Sequence, residues 1–423
     1  MNDRKTAEEL LSFLEQCPSA FHTASCVAGQ LLEAGFVELQ EKDSWKLEKN
    51  GKYFVKRNDS SLIAFQTSGA AEEGFRIAAS HSDSPAFQIK EHPEMEVDQK
   101  YVKLNVERYG GMIMNTWMDR PLSVAGRIVV RDGEKLVSRL VNVDRDLIMI
   151  PNVAIHMNRE VNQGYAYNAQ KDMLPLYGLQ GEKVPFLSVV ADAAGVKEED
   201  ILGHDLFLYN RQKGSIWGAR EEFISGPRLD DLQCVYGTLQ GFLQGKREVH
   251  TAVYGLFDNE EVGSGTRQGA ASTFLQDVLL RINMGLGRSY EDYLRAMSQS
   301  CMISADNAHG IHPNHPEFAD PVHHPVPNGG LVIKYSGNQK YCTNGVTAAF
   351  LKDLCERAEV PVQIYVNRSD IPGGSTLGNI AVSRVPVPAV DVGLAQLAMH
   401  SAYETAGVRD TGYLIRTCEE FFS

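Results

Sequence analysis

The chain has 423 residues, 43% of them hydrophobic and 9% aromatic, with 41 Lys+Arg against 54 Asp+Glu and a formal net charge of −13. That length suggests two to three domains, each with a real core, and a charged fraction of 22% excludes disorder as the main state. The acid surplus, with no basic stripe, argues against nucleic-acid partners and against an anionic membrane surface. No apolar run approaches the roughly 18 residues that a membrane-spanning helix needs.

The opening stretch, MNDRKTAEELLSFLEQC, mixes charges with leucines and lacks an unbroken apolar core, so it does not read as a secretory signal. It reads as a helix: Thr6 and Glu9 stand at capping-box spacing, and Leu10, Leu11 and Leu14 form an apolar stripe. A second helix is expected over residues 20–34, stopped by Gly35, followed by strands at Ser61–Gln66 and residues 75–80. Residues 92–225 have a different texture, with alternating segments such as 102–109. A hairpin is expected there, with strands 127–131 and 135–140 joined at the turn dipeptide Asp132-Gly133. After Gly226 the pattern alternates again. A helix over 231–243 is followed by strands at 252–257, Cys301–Ala305 and Leu331–Tyr335, a helix over 347–357, and strands at 361–366 and 387–392. The expected architecture is an α/β domain with a central mixed sheet flanked by helices, residues 1–91 plus 226–423, interrupted by a β-rich domain at 92–225. Seven scattered cysteines (17, 26, 234, 301, 342, 355 and 418) with no CxxC point to a reducing cytoplasm and to no cysteine-based metal site.

The chemistry collects at strand ends. His81-Ser82-Asp83 follows the strand at 75–80, Asp258-Asn259-Glu260-Glu261 follows 252–257, Asp306 follows Cys301–Ala305, and His400 lies past the last strand. Open α/β sheets bind ligands at the carboxyl ends of their strands. Imidazole and carboxylate without thiolate suit a hard-to-borderline divalent metal. Residues two apart in extended chain share a side, so Asp83 can reach the His81 imidazole and fix its tautomer. Adjacent Glu260 and Glu261 diverge, so one can bind metal while the other acts as general base. Each piece also has an ordinary reading: His-x-Asp as a polar turn, the acidic run as a solvated loop, and Asp230 as an N-cap.

The segments SHSDSP (80–85), GPRLDDL (226–232), FDNEEVGS (257–264), SADNAHGIHPNH (304–315) and MHSAYE (399–404) resemble, in order and spacing, the signature blocks of the aspartyl aminopeptidase family. The resemblance runs over nearly the whole chain and implies a metallopeptidase domain interrupted by a β-rich dimerisation domain. It implies two zinc ions, for which cobalt or manganese can substitute. His81 would be the first ligand with Asp83 orienting it, Asp230 the bridge, Glu261 a terminal ligand, and Asp306 and His400 the completion of the two spheres. Glu260 would be the general base. The substrates would be peptides with acidic N-terminal residues. The same resemblance puts Lys334, Tyr341 of the QKYCTN block and the loop Gly373-Gly374-Ser375 on the substrate. It also sends His156 into a neighbouring subunit's site within a homododecamer built from dimers. Without it, Lys334 reads as a solvated strand-end lysine and Gly373 as a turn residue after Pro372. The histidines at 309, 312, 315, 323 and 324 read as mostly loop, with an extra metal site as the alternative. The chain lacks a GxSxG nucleophile elbow, a GxGxxG fingerprint and a phosphate loop. Two rivals remain: a related dizinc peptidase of apolar preference, and a self-assembling scaffold with an inert site.

Overall fold

The computed structural model describes residues 2–68, 74–182, 184–246 and 249–423. The chain divides into two compact units, one of Met1–Asp83, Gly214–Met399 and Glu404–Ser423, the other of Ser84–Lys213 with His400–Tyr403. These junctions differ from the expected breaks at 91/92 and 225/226. The strand Ala86–Val97 runs unbroken through residue 91 in the second unit's sheet, whereas Ser215–Trp217 pairs with Phe223–Gly226 in the first.

The first unit is built on a nine-stranded mixed sheet in the order Val37–Leu39, Lys52–Arg57, Ser61–Gln66, Thr251–Phe257, Phe75–His81, Cys301–Ala305, Ala389–Gly393, Leu331–Tyr335, Val362–Val366. Its four central strands, Thr251–Phe257 to Ala389–Gly393, are parallel neighbours. Every residue of Thr251–Phe257 is buried, as expected where helices cover both faces of parallel strands. Successive residues feed opposite cores. Ala78 and Ile303 join Leu10, Val27, Leu239, Phe242 and Leu351 on one face; Ile77, Ala79 and Met302 join Phe274, Val278 and Tyr293 on the other. A smaller five-stranded sheet links Ser215–Trp217, Phe223–Gly226, Glu404–Gly407, Ala395–Leu397 and Ala308–His309.

The second unit is an antiparallel six-stranded sheet ordered Lys135–Asn142, Leu122–Asp132, Ile201–Asn210, Ala86–Val97, Tyr101–Tyr109, Leu176–Leu179. The helix Phe186–Ala194 adds Phe186 and Val190 to its core of Phe87, Leu104, Val124, Ile128 and Leu206.

Two local expectations shift. The first helix, Asp3–Gln16, is capped by Asn2, whose side chain accepts from the Lys5 amide, while Thr6 donates its hydroxyl back to the Asn2 carbonyl. The Thr6/Glu9 spacing therefore lies inside the helix. In the hairpin, Asp132 pairs with Lys135, so the two-residue turn is Gly133-Glu134, one step later than Asp132-Gly133. Gly133 takes the positive φ of 62° that this turn demands.

Helix Leu229–Gln244 packs against helix Asp410–Phe421 through glycine. A Cβ at Gly241 would lie 2.3 Å from Cys418 Cβ and 2.8 Å from the Ile415 carbonyl oxygen; one at Gly237 would meet only the Leu414 side chain, at 2.7 Å. Gly241→Ala should cost about 1–3 kcal/mol by overpacking, more than the gain of about 1 kcal/mol in helix propensity. Gly237→Ala should cost less, because a leucine tip can turn aside. Urea melts of the two variants check the order.

Candidate metal centre

The central strands bring the acids and the imidazole together by register. His81 ends Phe75–His81 and pairs with Phe257, so the segments following both strands leave the sheet at the same level. His81 is 1% exposed, and its Nδ1 lies 3.1 Å from the Asp83 carbonyl oxygen and 3.4 Å from Asp83 Oδ1. A carbonyl only accepts, so Nδ1 carries the proton and Nε2 is turned toward Asp230 Oδ1 and Asp231 Oδ2, each 3.9 Å away. The expected Asp83 contact is thus made first by its backbone. Its carboxylate accepts from the amides of Glu260 and Glu261, both at 3.1 Å, and so braces the turn that carries them. That turn, Glu260–Val262, starts after Asn259 at φ 62° and ends on Gly263 at φ 95°.

Asp230 is extended (φ −85°, ψ 106°) within the Leu229–Gln244 segment, and its amide donates to Glu404 Oε2 at 2.9 Å. Its carboxylate belongs to the group around His81, so the N-cap reading gives way. Arg228, two residues earlier, donates to the carbonyls of Leu14 and Cys17 at 3.0 Å each. Those carbonyls lie at the end of the first helix, where the Cys17 amide also donates to Leu14, so the helix C-terminus anchors the approach to Asp230.

Two groups of possible ligands lie within the first unit. His81, Asp230, Asp231 and Asp306 form one; His81, Glu260 and Glu261 form the other; within each group the ligand atoms lie within 4.8 Å of one another. Sequence reasoning missed Asp231. It is 0% exposed, its Oδ2 accepts from the His81 amide at 3.2 Å, and its Oδ1 has no hydrogen-bond partner among the described residues. The available signal was an acid buried beside Leu232, Cys234 and Val235, on a helix face with no other reason to carry charge. Asn307 was also missed: its Nδ2 donates to the Leu229 carbonyl (2.9 Å) and to Gln396 Oε1 (2.8 Å).

The electrostatics ask for a cation. Burial, then the charges of Asp306 and Asp230, raise Asp231 well above the usual carboxylate range despite His81. Burial pushes Glu260 up to about 8, with Asp306, Asp83 and Asp230 adding to it against His81. Burial and Asp230 raise Asp306, against Lys334. Burial would lower His81, but the charges of Asp231 and Asp83 outweigh it and hold the imidazole well above its usual range. A divalent metal answers all four at once, and a carboxylate and imidazole donor set without thiolate fits zinc, cobalt or manganese.

The remaining candidates are distributed as follows. Asp306 is buried, and its carbonyl accepts from Lys334 Nζ at 2.6 Å; Lys334 is itself 2% exposed, which overturns the solvated reading. Tyr341 is buried with its ring centroid 5.3 Å from Lys334 Nζ. Gly373 lines a cavity of about 570 Å³ with Tyr335, Lys340, Asn367 and Arg368, while Gly374 and Ser375 are exposed beside it. Thr376 and the Cys342 amide both bind buried Asp391, at 2.7 and 2.5 Å, tying this loop to the QKYCTN block. His400 belongs to the second unit, where its Nδ1 donates to the Gly111 carbonyl at 2.5 Å. His156 lies exposed in the second unit between exposed Ile155 and Met157. None of the histidines at 309, 312, 315, 323 and 324 enters a ligand group among the described residues; His315 and His323 pair with Glu317 and Asp320 instead.

A mixed α/β sheet whose parallel strands end in carboxylates around one imidazole defines a protein with a candidate metal centre at its sheet edge. The chain belongs to the M18 aminopeptidases, which are zinc metalloproteases: the family described as aminopeptidase I zinc metalloprotease (M18) matches residues 13–422. It is similar to a probable M18 family aminopeptidase 2 of Clostridium acetobutylicum, 45% identical over 430 residues that cover 100% of this chain and 99% of the relative. Among solved structures it resembles a chain of the cryo-EM structure of the Ape4 and Nbr1 complex, with TM-score 0.96, 33% identity, and coverage of 99% of this chain and 86% of that one. It also resembles the mApe1 dodecamer of S. cerevisiae, with TM-score 0.88, 27% identity, and coverage of 100% of this chain and 97% of that one.

Asp231→Asn removes one buried like charge and should divide the effects of the cluster. Zinc affinity is expected to fall about 10–100-fold, as for other partners that support a metal site. The chelator-treated protein should melt higher than the unsubstituted one. Thermal melts with zinc and with chelator check both.

Proposed function

We propose that this M18 zinc aminopeptidase removes acidic N-terminal residues, Asp and Glu, from peptides at a two-zinc centre, within a cytoplasmic homo-oligomer. The observation that carries the reading is the convergence of His81, Asp230, Glu260, Glu261 and Asp306 at one sheet edge. In this reading His81, Asp230, Glu261, Asp306 and His400 would hold the two ions. Zinc bound there would polarise the scissile carbonyl and lower the proton affinity of water.

The chain's own groups do the rest. Glu260, braced through its amide by Asp83, takes the proton from the attacking water and returns it to the leaving amine. His81 holds its tautomer through the Asp83 carbonyl. An acidic side chain needs a local cation, since a net charge of −13 repels it; in the family resemblance that cation is Lys334, with Tyr341, Gly373, Gly374 and Ser375 around the substrate. The burial of Lys334 against Asp306 favours a second reading, an apolar preference at the same centre.

Assembly is supported by the likeness to the S. cerevisiae mApe1 dodecamer and by the exposed apolar run of Val153, Ile155 and Met157, the last 78% exposed. In a homododecamer built from dimers, a second copy would cover this run, and His156 would reach the neighbouring site. A stable, fully active monomer in light scattering would remove that role from His156.

Hydrolysis of Asp-, Glu- and Leu-anilides with and without chelator tests the activity. The expected outcome is chelator-sensitive release with Asp and Glu ahead of Leu. Leu ahead of Asp would establish the apolar reading, and no release of any residue would leave a scaffold. Glu260→Gln should keep its zinc while kcat falls about 10²–10⁴-fold, the usual worth of a positioned base. Survival of turnover with metal bound would remove Glu260 from that role.

A further inference from the structure

We infer that Cys17 and Cys26 are a dithiol which a small-molecule disulfide closes reversibly to an intramolecular disulfide, and that closure weakens zinc binding through Arg228. The link to zinc rests on the metal centre of the proposed function; the disulfide itself does not.

The two cysteines meet at the corner between the first two helices. Cys17 caps the C-terminus of helix Asp3–Gln16, and Cys26 stands in the second turn of helix Ala20–Glu33. Cys17 is 0% exposed, whereas Cys26 is half-buried. Their thiols are in hydrogen-bond contact. Cys26 Sγ also lies 3.8 Å from Oε1 of Gln16, the residue before Cys17, and accepts from Gln30 Nε2 at 3.9 Å. The Cys17 contact brings Cys26 down to about 7, with Gln30 adding to it against burial, while burial holds Cys17 well above the usual thiol range. The more accessible member is therefore the one that forms a thiolate, and its buried neighbour is the resolving thiol. Cys355 and Cys418 also lie near each other, but both are 0% exposed and burial raises both, so that pair has no entry thiol.

The exchange balances. The Cys26 thiolate attacks one sulfur of the small disulfide, forming a mixed disulfide and expelling a thiolate that takes up the proton Cys26 released. Cys17 then gives up its proton and attacks the Cys26 sulfur, and the second small thiolate leaves and takes that proton. Two protein thiols are oxidised, and one small disulfide is reduced to two thiols.

A disulfide bond of about 2.05 Å is shorter than any thiol–thiol contact, so closure tightens the corner. Arg228 grips that corner through the carbonyls of Leu14 and Cys17, at 3.0 Å each. It holds a φ of 60° two residues before Asp230, whose carboxylate belongs to the group around His81. A shift of Cys17 is thus passed by one guanidinium to a possible ligand.

The test exposes the full chain to glutathione disulfide, removes the glutathione, alkylates the denatured protein and counts thiols by mass spectrometry. The expected result is a loss of two of the seven thiols and a Cys17–Cys26 linked peptide, both reversed by dithiothreitol. Cys17→Ala should trap glutathione on Cys26, and Cys26→Ser should leave Cys17 unmodified. In a competition titration against a chromophoric chelator, zinc affinity should fall about tenfold on closure, the low end of what supporting partners of a metal site contribute. Cys26→Ser treated in the same way should keep its affinity, with circular dichroism showing each protein folded. Absence of the linked peptide overturns the inference, as does a linked peptide with unchanged zinc affinity. A reduced protein that binds no zinc overturns the metal-centre reading and the link to it, while the linked peptide alone still decides the disulfide.

Discussion

Everything at the site depends on one constraint: carboxylates that repel one another are buried at the level edge of parallel strands. The pairing of Phe257 with His81, and of Ser304 with Ala79, makes the strands Thr251–Phe257, Phe75–His81 and Cys301–Ala305 end together. Asp83, Glu260, Glu261 and Asp306 then leave the sheet side by side, and the start of helix Leu229–Gln244 adds Asp230 and Asp231. Charges of one sign in a buried place destabilise the fold unless cations or donated N–H groups offset them.

The fold supplies those donors locally. Asp83 takes two successive amides of the Glu260 turn, Asp231 takes the His81 amide, and Asp230 gives its own amide to Glu404. Lys334 is the single buried lysine side chain among the described residues, and it stands against Asp306. The helices Leu229–Gln244 and Asp410–Phe421 meet closely at Gly237 and Gly241. Stability of the frame and readiness of the site are thus opposed, and the metal reconciles them.

The central strands were largely legible as short, almost continuously buried apolar runs: Ser61–Gln66, Cys301–Ala305 and Leu331–Tyr335 fall where those runs place them. The misplacements were local and had local causes. Asn2 beat Thr6 to the helix start because it lies outside the first turn and can accept from Lys5. The hairpin turn moved one residue because pairing continues through Asp132 and Lys135. The metal-ligating types at strand ends were visible as a pattern, yet Asp231 and Asn307 were not, since each is one polar residue inside a buried element and only its neighbours in space give it a role.

The sequence alone therefore determined the two textures of the chain, the strand ends that carry acid and imidazole, and the ordered blocks that resemble aspartyl aminopeptidases. These are properties of spacing along the chain, which periodicity and residue type express directly. Tertiary structure alone decided that Asp230 turns from a cap into a cluster member, that the Asp83 carboxylate braces Glu260 and Glu261, and that Lys334 is buried against Asp306. Those outcomes depend on which strands become neighbours and in what register, and on whether a charged side chain meets water or another buried group. No local pattern encodes that choice, because the partners are separated by tens to hundreds of residues and meet only in the folded chain.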